Sequence, residues 1–252
     1  MSKPQLTKDL WLAALRAEGD AFRAALSTGT PLDAPVPTCP GWQLGDLAWH
    51  LSLVYGWVSG HVGRGVTDRP ADRPDTPRPD GADPLVAWTD AFTDLVAALD
   101  AVDPDLPAWN WAPQAKKAGF WHRRMAHETA IHRWDAQMAG GLSEPIEAKL
   151  ASDGVTEVLD SWLPAGRRSG PTDRAGMIAL HAPDVDQVWY VRLRNAGIAL
   201  LDTDTLLDSD DHHERATASG NASDLVLALY GRVPFDTLLV SGDVTLLRGL
   251  LI

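Results

Sequence analysis

The sequence predicts a four-helix bundle over residues 1–143 and a smaller α+β domain over residues 144–252. Three observations carry this. Four apolar stripes with helical spacing precede residue 140. Gly140-Gly141 then stops the last of them. Beyond it, short runs of strand character are separated by turn residues, the pattern of a mixed domain.

The elements follow in order. Leu6, Leu10, Leu15, Phe22 and Leu26 mark a first helix over 5–27, which the prolines at 31, 35, 37 and 40 keep from continuing. A second helix begins near Trp42, with Leu44, Leu47, Leu51, Val54 and Val58 on one face. From Arg64 to Asp80, prolines alternate with Arg and Asp, a composition that predicts a solvated, mobile connection. Asp83 suits the N-cap of a third helix and Pro84 its first turn, with Leu85, Trp88, Phe92, Leu95, Leu99 and Val102 facing inward. The fourth helix spans about Phe120 to Ala139. Residues 147–163 read as helical, and Met177–His181, Val188–Leu193 and Gly197–Leu201 read as strands. Ala216–Ala218 suit a further strand. A helix capped by Asn221 or Ser223 then runs through Tyr230 to Gly231, and Gly242-Asp243 precede a last helix.

Composition limits the function classes. The net charge of -12 repels phosphate backbones, so nucleic acid is not an expected partner. No run of about 18 apolar residues is present, so no membrane span is expected, and the N-terminus lacks the apolar region of a secretory signal. The single cysteine, Cys39, rules out an internal disulfide and an all-thiolate metal site. A cytoplasmic protein is expected, as a monomer or small homo-oligomer. Arginine far outnumbers lysine and alanine is abundant, which suggests a bacterial source.

Two polar anomalies interrupt the apolar faces. Glu128 and His132 are four residues apart, one above the other on the fourth helix, beside Trp121, Met125 and Ile131. A carboxylate on a buried face costs several kcal/mol unless something cationic compensates. His50 falls on the apolar stripe of the second helix, between Leu47 and Val54. Two helices thus aim donors at one interior, as bundles do when they build metal sites. Two imidazoles and a carboxylate suit zinc, or another first-row divalent ion such as iron(II) or nickel, and leave a coordination position open. Against this stand a satisfied core histidine at 50 and a solvated Glu-His pair at 128 and 132. Asp135 is placed to orient His132. His127 lies about a hundred degrees around the helix from Glu128 and is read as an outer partner or exposed. His61 and His122 fall near helix ends, His212-His213 in an acidic loop, and Cys39 is read as structural. Trp109 and Trp111 either wall the pocket or fill a connection.

Taken together, Thr38-Cys39-Pro40-Gly41-Trp42, Asp46-Leu47 and His50-Leu51 resemble the second-helix motif of the mycothiol-dependent maleylpyruvate isomerase family. Residues 120–136, FWHRRMAHETAIHRWDA, resemble its fourth-helix motif. Gly220-Asn221-Ala222-Ser223-Asp224-Leu225, Leu229-Tyr230-Gly231-Arg232 and Gly242-Asp243 resemble its C-terminal domain. The resemblance implies a DinB-like metal-binding bundle with zinc on His50, Glu128 and His132. It also implies that Arg232 reaches the active site and that mycothiol is the cosubstrate. One departure is Gln43 where the family has Thr or Ser, followed by Gly45, two choices that weaken the start of the second helix. The expected activity is addition of a metal-activated low-molecular-weight thiol to a small electrophile, giving isomerisation or S-transfer. Arg232 would hold an anion of substrate or thiol, and Trp109 and Trp111 would line the binding pocket. A zinc hydrolase and a non-catalytic metal-stabilised binding module are the alternatives.

Overall fold

The computed structural model describes residues 7–27, 29–195, 197–201 and 215–252. Leu6 and the acidic His212-His213 segment lie outside the described residues. The chain divides into two compact units: residues 1–110 with 115–144, and residues 111–114 with 145–252. Among the described residues no helix is long and apolar enough to cross a membrane.

The first unit contains α1 (Lys8–Ser27), α2 (Leu44–Val62), α3 (Pro84–Ala101) and α4 (Gly119–Ala139). Helix α1 packs chiefly on α4, and α2 on α3. Most of the predicted stripe positions form the core: Leu15 and Phe22, Leu47, Leu51 and Val58, and Trp88, Leu95 and Leu99 are all buried, whereas Leu10 is exposed. Each such side chain contributes roughly 1.5–3 kcal/mol on burial. Gly19 lets α1 approach α3, because a Cβ there would overlap the Phe92 ring. Helix α3 starts as expected, with Asp83 accepting from the Leu85 and Val86 N–H groups at 2.9 and 3.3 Å.

Helix α2 begins at Leu44 and starts better than its sequence suggests. Asp46, at the third helical position, accepts the Gln43 N–H at 3.0 Å. Gly45 eases a close approach: its N–H meets the Leu32 carbonyl at 2.7 Å, and a Cβ would crowd that oxygen at 3.2 Å. Pairing of Val36 with Trp42 and of Ala34 with Leu44 folds segment 31–43 back beside the helix. The Arg/Pro/Asp segment is largely exposed, yet it is docked along α2. The indoles of Trp57 and Trp49 donate to its Ala71 and Thr76 carbonyls at 2.8 and 2.9 Å.

Helix α4 departs from amphipathic patterning. His122, Arg124, His127, Thr129, His132, Arg133 and Asp135 are all buried in it. His127 is neither exposed nor beside Glu128; its ring stands edge-on to Trp11, 5.5 Å away, because that side of α4 faces α1. The ring nitrogens of His122 lie 3.0 and 2.8 Å from the Ala118 and Leu99 carbonyl oxygens.

The second unit holds α5 (Ala148–Glu157), continued by a π-turn to Trp162, α6 (Ala222–Leu229) and five strands. These are β1 (Ala175–Ala182), β2 (Gln187–Arg194), β3 (Gly197–Leu201), β4 (Arg215–Ser219) and β5 (Leu239–Gly242), in sheet order β3-β2-β1-β4-β5. β1 and β4 are parallel, and the other pairs are antiparallel. Trp189, Val191 and Leu193 alternate inward along β2. β5 is the strand that sequence reading passes over: it is short, mostly exposed and, among the described residues, paired with β4 alone. The expected last helix is a run of 3₁₀ turns, Val244–Leu250, started by Asp243 accepting from Thr245. Seven residues are too few for an α-helical ladder to propagate well.

Candidate metal centre

Helix α4 presents three polar side chains one above another: Arg124, Glu128 and His132. The Glu128 Oε2 accepts from Arg124 at 2.8 Å, where the guanidinium is 3% and the carboxylate 16% exposed. Its other oxygen, Oε1, stands 3.6 Å from the Nε2 of His132 and 3.6 Å from the Nε2 of His50 on α2. The donor atoms of His50, Glu128 and His132 all lie within 4.8 Å of one another.

That spacing is too long for hydrogen bonds and suits a shared cation. Zinc bonds of about 2.1 Å at tetrahedral angles set donor atoms roughly 3.4 Å apart. The supporting contacts agree. His132 donates its Nδ1–H to Asp135 Oδ2 at 2.9 Å, which directs Nε2 toward Glu128. Asp135 is fully buried and accepts from the Thr38 hydroxyl at 2.6 Å and the Cys39 thiol at 3.5 Å. Cys39, His132 and Asp135 form a second group of closely spaced donor atoms. Asp135, however, is already committed to the hydroxyl and the imidazole, so this group is better read as a brace for His132. On α2, the Trp42 ring packs 4.9 Å from His50.

The electrostatics follow from crowding. Burial alone would raise the Glu128 pKa, but the two imidazoles and Arg124 outweigh it and hold the carboxyl well below its usual range. Burial alone would lower His132, but Asp135, Cys39 and Glu128 together hold it well above the usual imidazole value. His50 goes the other way: desolvation lowers it, with Glu128 offsetting only part of the effect.

Trp109, Trp111 and Arg232 have immediate partners of their own. Trp109 belongs to an aromatic cluster of the first unit, with Trp57 at 5.9 Å, Trp121 at 6.4 Å and His61 at 6.2 Å. The Trp57 and His61 members of that cluster line a cavity of about 580 Å³ between α2 and residues 70–74. Trp111 belongs to the second unit, where its ring meets Trp162 at 4.7 Å and the Arg167 guanidinium at 4.3 Å. Arg232 follows α6, and its guanidinium donates to the Tyr230 carbonyl at 3.1 Å. Sequence reading omits Arg124, although it repeats the four-residue spacing one turn before Glu128. It also omits Thr38 and Arg73, whose proximity to the site is tertiary and leaves no local pattern.

Residues 12–137 match the family model described as the mycothiol maleylpyruvate isomerase N-terminal domain, and residues 149–249 match the C-terminal domain of the same family. No curated protein sequence matches the chain. Two similar solved structures are mycothiol-dependent maleylpyruvate isomerase and its histidine-to-alanine mutant. The first is 15% identical with a TM-score of 0.60, the second 14% identical with a TM-score of 0.62; each alignment covers 94% of this chain and 93% of the other. At that identity the likeness concerns the fold.

Proposed function

The chain belongs to the mycothiol-dependent maleylpyruvate isomerase family, and from that premise we propose that it is a thiol-dependent metalloenzyme acting on a small electrophile. His50, Glu128 and His132 would hold a divalent ion, zinc by donor type. Bound there, the ion would supply the positive charge that favours thiolate over thiol in a low-molecular-weight cosubstrate, mycothiol. The observation that carries this reading is the shared 3.6 Å approach of two imidazole Nε2 atoms to one carboxylate oxygen.

The chain's own residues do the positioning. Arg124 fixes Glu128 by one oxygen and leaves the other aimed at the imidazoles. Asp135, held by Thr38, fixes the tautomer of His132. The nucleophile must come from outside the chain, since its one thiol, Cys39, is turned to Asp135. The thiolate adds to an activated carbon–carbon double bond. Rotation about the resulting single bond and expulsion of the thiolate give the isomer, with the thiol recovered. Protonation of the adduct instead gives S-transfer. A hydrolytic reading is less well supported, because both carboxylates at the centre are already engaged, Glu128 by Arg124 and Asp135 by Thr38 and His132. For Arg232 the assignment as an anion-holding residue rests on family resemblance. Undiminished thiol-dependent turnover in Arg232→Ala would remove it.

Elemental analysis of the purified chain, with mycothiol titrated into it by calorimetry, tests the whole reading. About one zinc per chain together with mycothiol affinity is expected. Metal without thiol affinity would favour a hydrolase, and neither would favour a non-catalytic binding module.

A further inference from the structure

We infer that Arg73 is an anion-recognising residue of this centre, distinct from Arg232, taking a carboxylate of the electrophile once a metal occupies His50, Glu128 and His132. The inference rests on the metal reading above and adds to it a residue that recognises the substrate.

The segment carrying Arg73 is placed from both sides. The indoles of Trp57 and Trp49 hold Ala71 and Thr76, so residues 71–76 run back along α2, with Arg73 between the two anchors. The guanidinium is half-buried, and its NH1 lies 3.3 Å from His50 Nδ1. Among the described residues no carboxylate pairs with it. The aspartate beside it in sequence, Asp72, is paired with Arg69 instead. A half-buried cation beside a metal-binding cluster, with a ring nitrogen as its partner, leaves most of its donors available for an anion.

The chemistry of His50 makes this contact conditional. A neutral imidazole carries one N–H. With Arg73 donating to Nδ1, the proton sits on Nε2 and faces Glu128, so Nε2 has no lone pair for a metal. Ligation through Nε2 moves the proton to Nδ1, and two donors then oppose each other. The Arg73–His50 hydrogen bond and metal ligation therefore exclude one another, unlike the Asp135–His132 bond, which supports ligation. With the metal in place, Arg73 must turn from His50. Its guanidinium, one imidazole ring away from the Nε2 side of His50, then has its fork of N–H groups to offer a carboxylate in two-point geometry.

The test compares wild type with Arg73→Ala in the full chain. Zinc affinity is measured by competition with a chromophoric chelator. Succinate and its uncharged diamide are then titrated into the zinc-loaded proteins by calorimetry. Arg73→Ala is expected to bind zinc more tightly than wild type, because an opposing donor is gone, and to bind succinate about tenfold or more weakly. The diamide is expected to bind neither protein. A zinc affinity that is unchanged or reduced in Arg73→Ala overturns the inference. So does succinate affinity equal in the two proteins, which would mean that the metal alone holds the carboxylate, and so does absence of succinate binding to wild type. Failure of wild type to take up zinc at all overturns the metal reading and this inference together, whereas the other outcomes leave the metal reading standing.

Discussion

Arg133 with Glu18 and Arg124 with Glu128 are two arginine–carboxylate pairs buried in the helical unit. Arg133 meets Glu18 through Nε at 2.7 Å and NH2 at 3.5 Å, and its remaining nitrogen donates to Gln137 and to the Glu144 carbonyl at 2.8 and 2.6 Å. Both carboxylate oxygens of Glu18 and all three guanidinium nitrogens are engaged. The second pair, Arg124 with Glu128, is closed on one side only: Oε2 is held at 2.8 Å, while Oε1 looks toward two imidazole nitrogens beyond hydrogen-bond reach. The same pair of residue types thus serves two ends. A carboxylate with both oxygens satisfied ties α1 to α4. One left half-satisfied among converging donors is a candidate binding site. Burial does not separate the two cases; the accounting of each oxygen does.

That contrast can be broken experimentally. The largest expected effect is at the open pair: His50→Ala, Glu128→Gln or His132→Ala should abolish stoichiometric zinc in elemental analysis and thiol-dependent turnover with it, while circular dichroism stays that of a folded protein. Zinc retained by all three variants would mean the open oxygen does not mark a metal site. At the closed pair, Arg133→Ala leaves Glu18 buried without its partner and should cost about 3–5 kcal/mol in denaturant unfolding. The folded fraction should keep its zinc, and equal losses of metal from both pairs would erase the distinction.

Smaller effects sharpen it. Asp135→Asn removes the acceptor that orients His132, and zinc affinity should fall roughly 10–100-fold in chelator competition. An unchanged affinity would show that Asp135 is only structural. The smallest effect concerns protons. In the metal-free protein His132 titrates above the usual imidazole value. It therefore contributes stability that is complete below the ordinary value and is lost as pH rises through the raised one. Glu128 titrates low. Its contribution is present above the ordinary carboxylate value and is lost as pH falls through the lowered one. At neutral pH the pair thus holds a proton on His132 that zinc must displace, so uptake should release about one proton per ion. Calorimetry in buffers of different ionisation enthalpy measures it, and no release would mean His132 is already neutral.

Periodic apolar stripes specified α1 to α3 closely in the sequence, because those helices bury the face their spacing displays, while the Gly140-Gly141 stop signal marked the end of α4. Asp83 and Pro84 announced the start of α3 for the same local reason. The anomalies at 50, 128 and 132 were legible too, since a charged or polar residue on an apolar stripe demands compensation. Tertiary structure alone decided the rest. It brought Thr38 to Asp135 across 97 positions and Arg73 to His50 across 23, distances over which no periodicity acts. It turned His127 into the α1 contact and gave the exposed, singly paired β5 its place. It also decided which nitrogen of each histidine faces the shared centre, because a tautomer is set by the partner on the far side of the ring, and those partners, Asp135 and Arg73, are supplied by the fold.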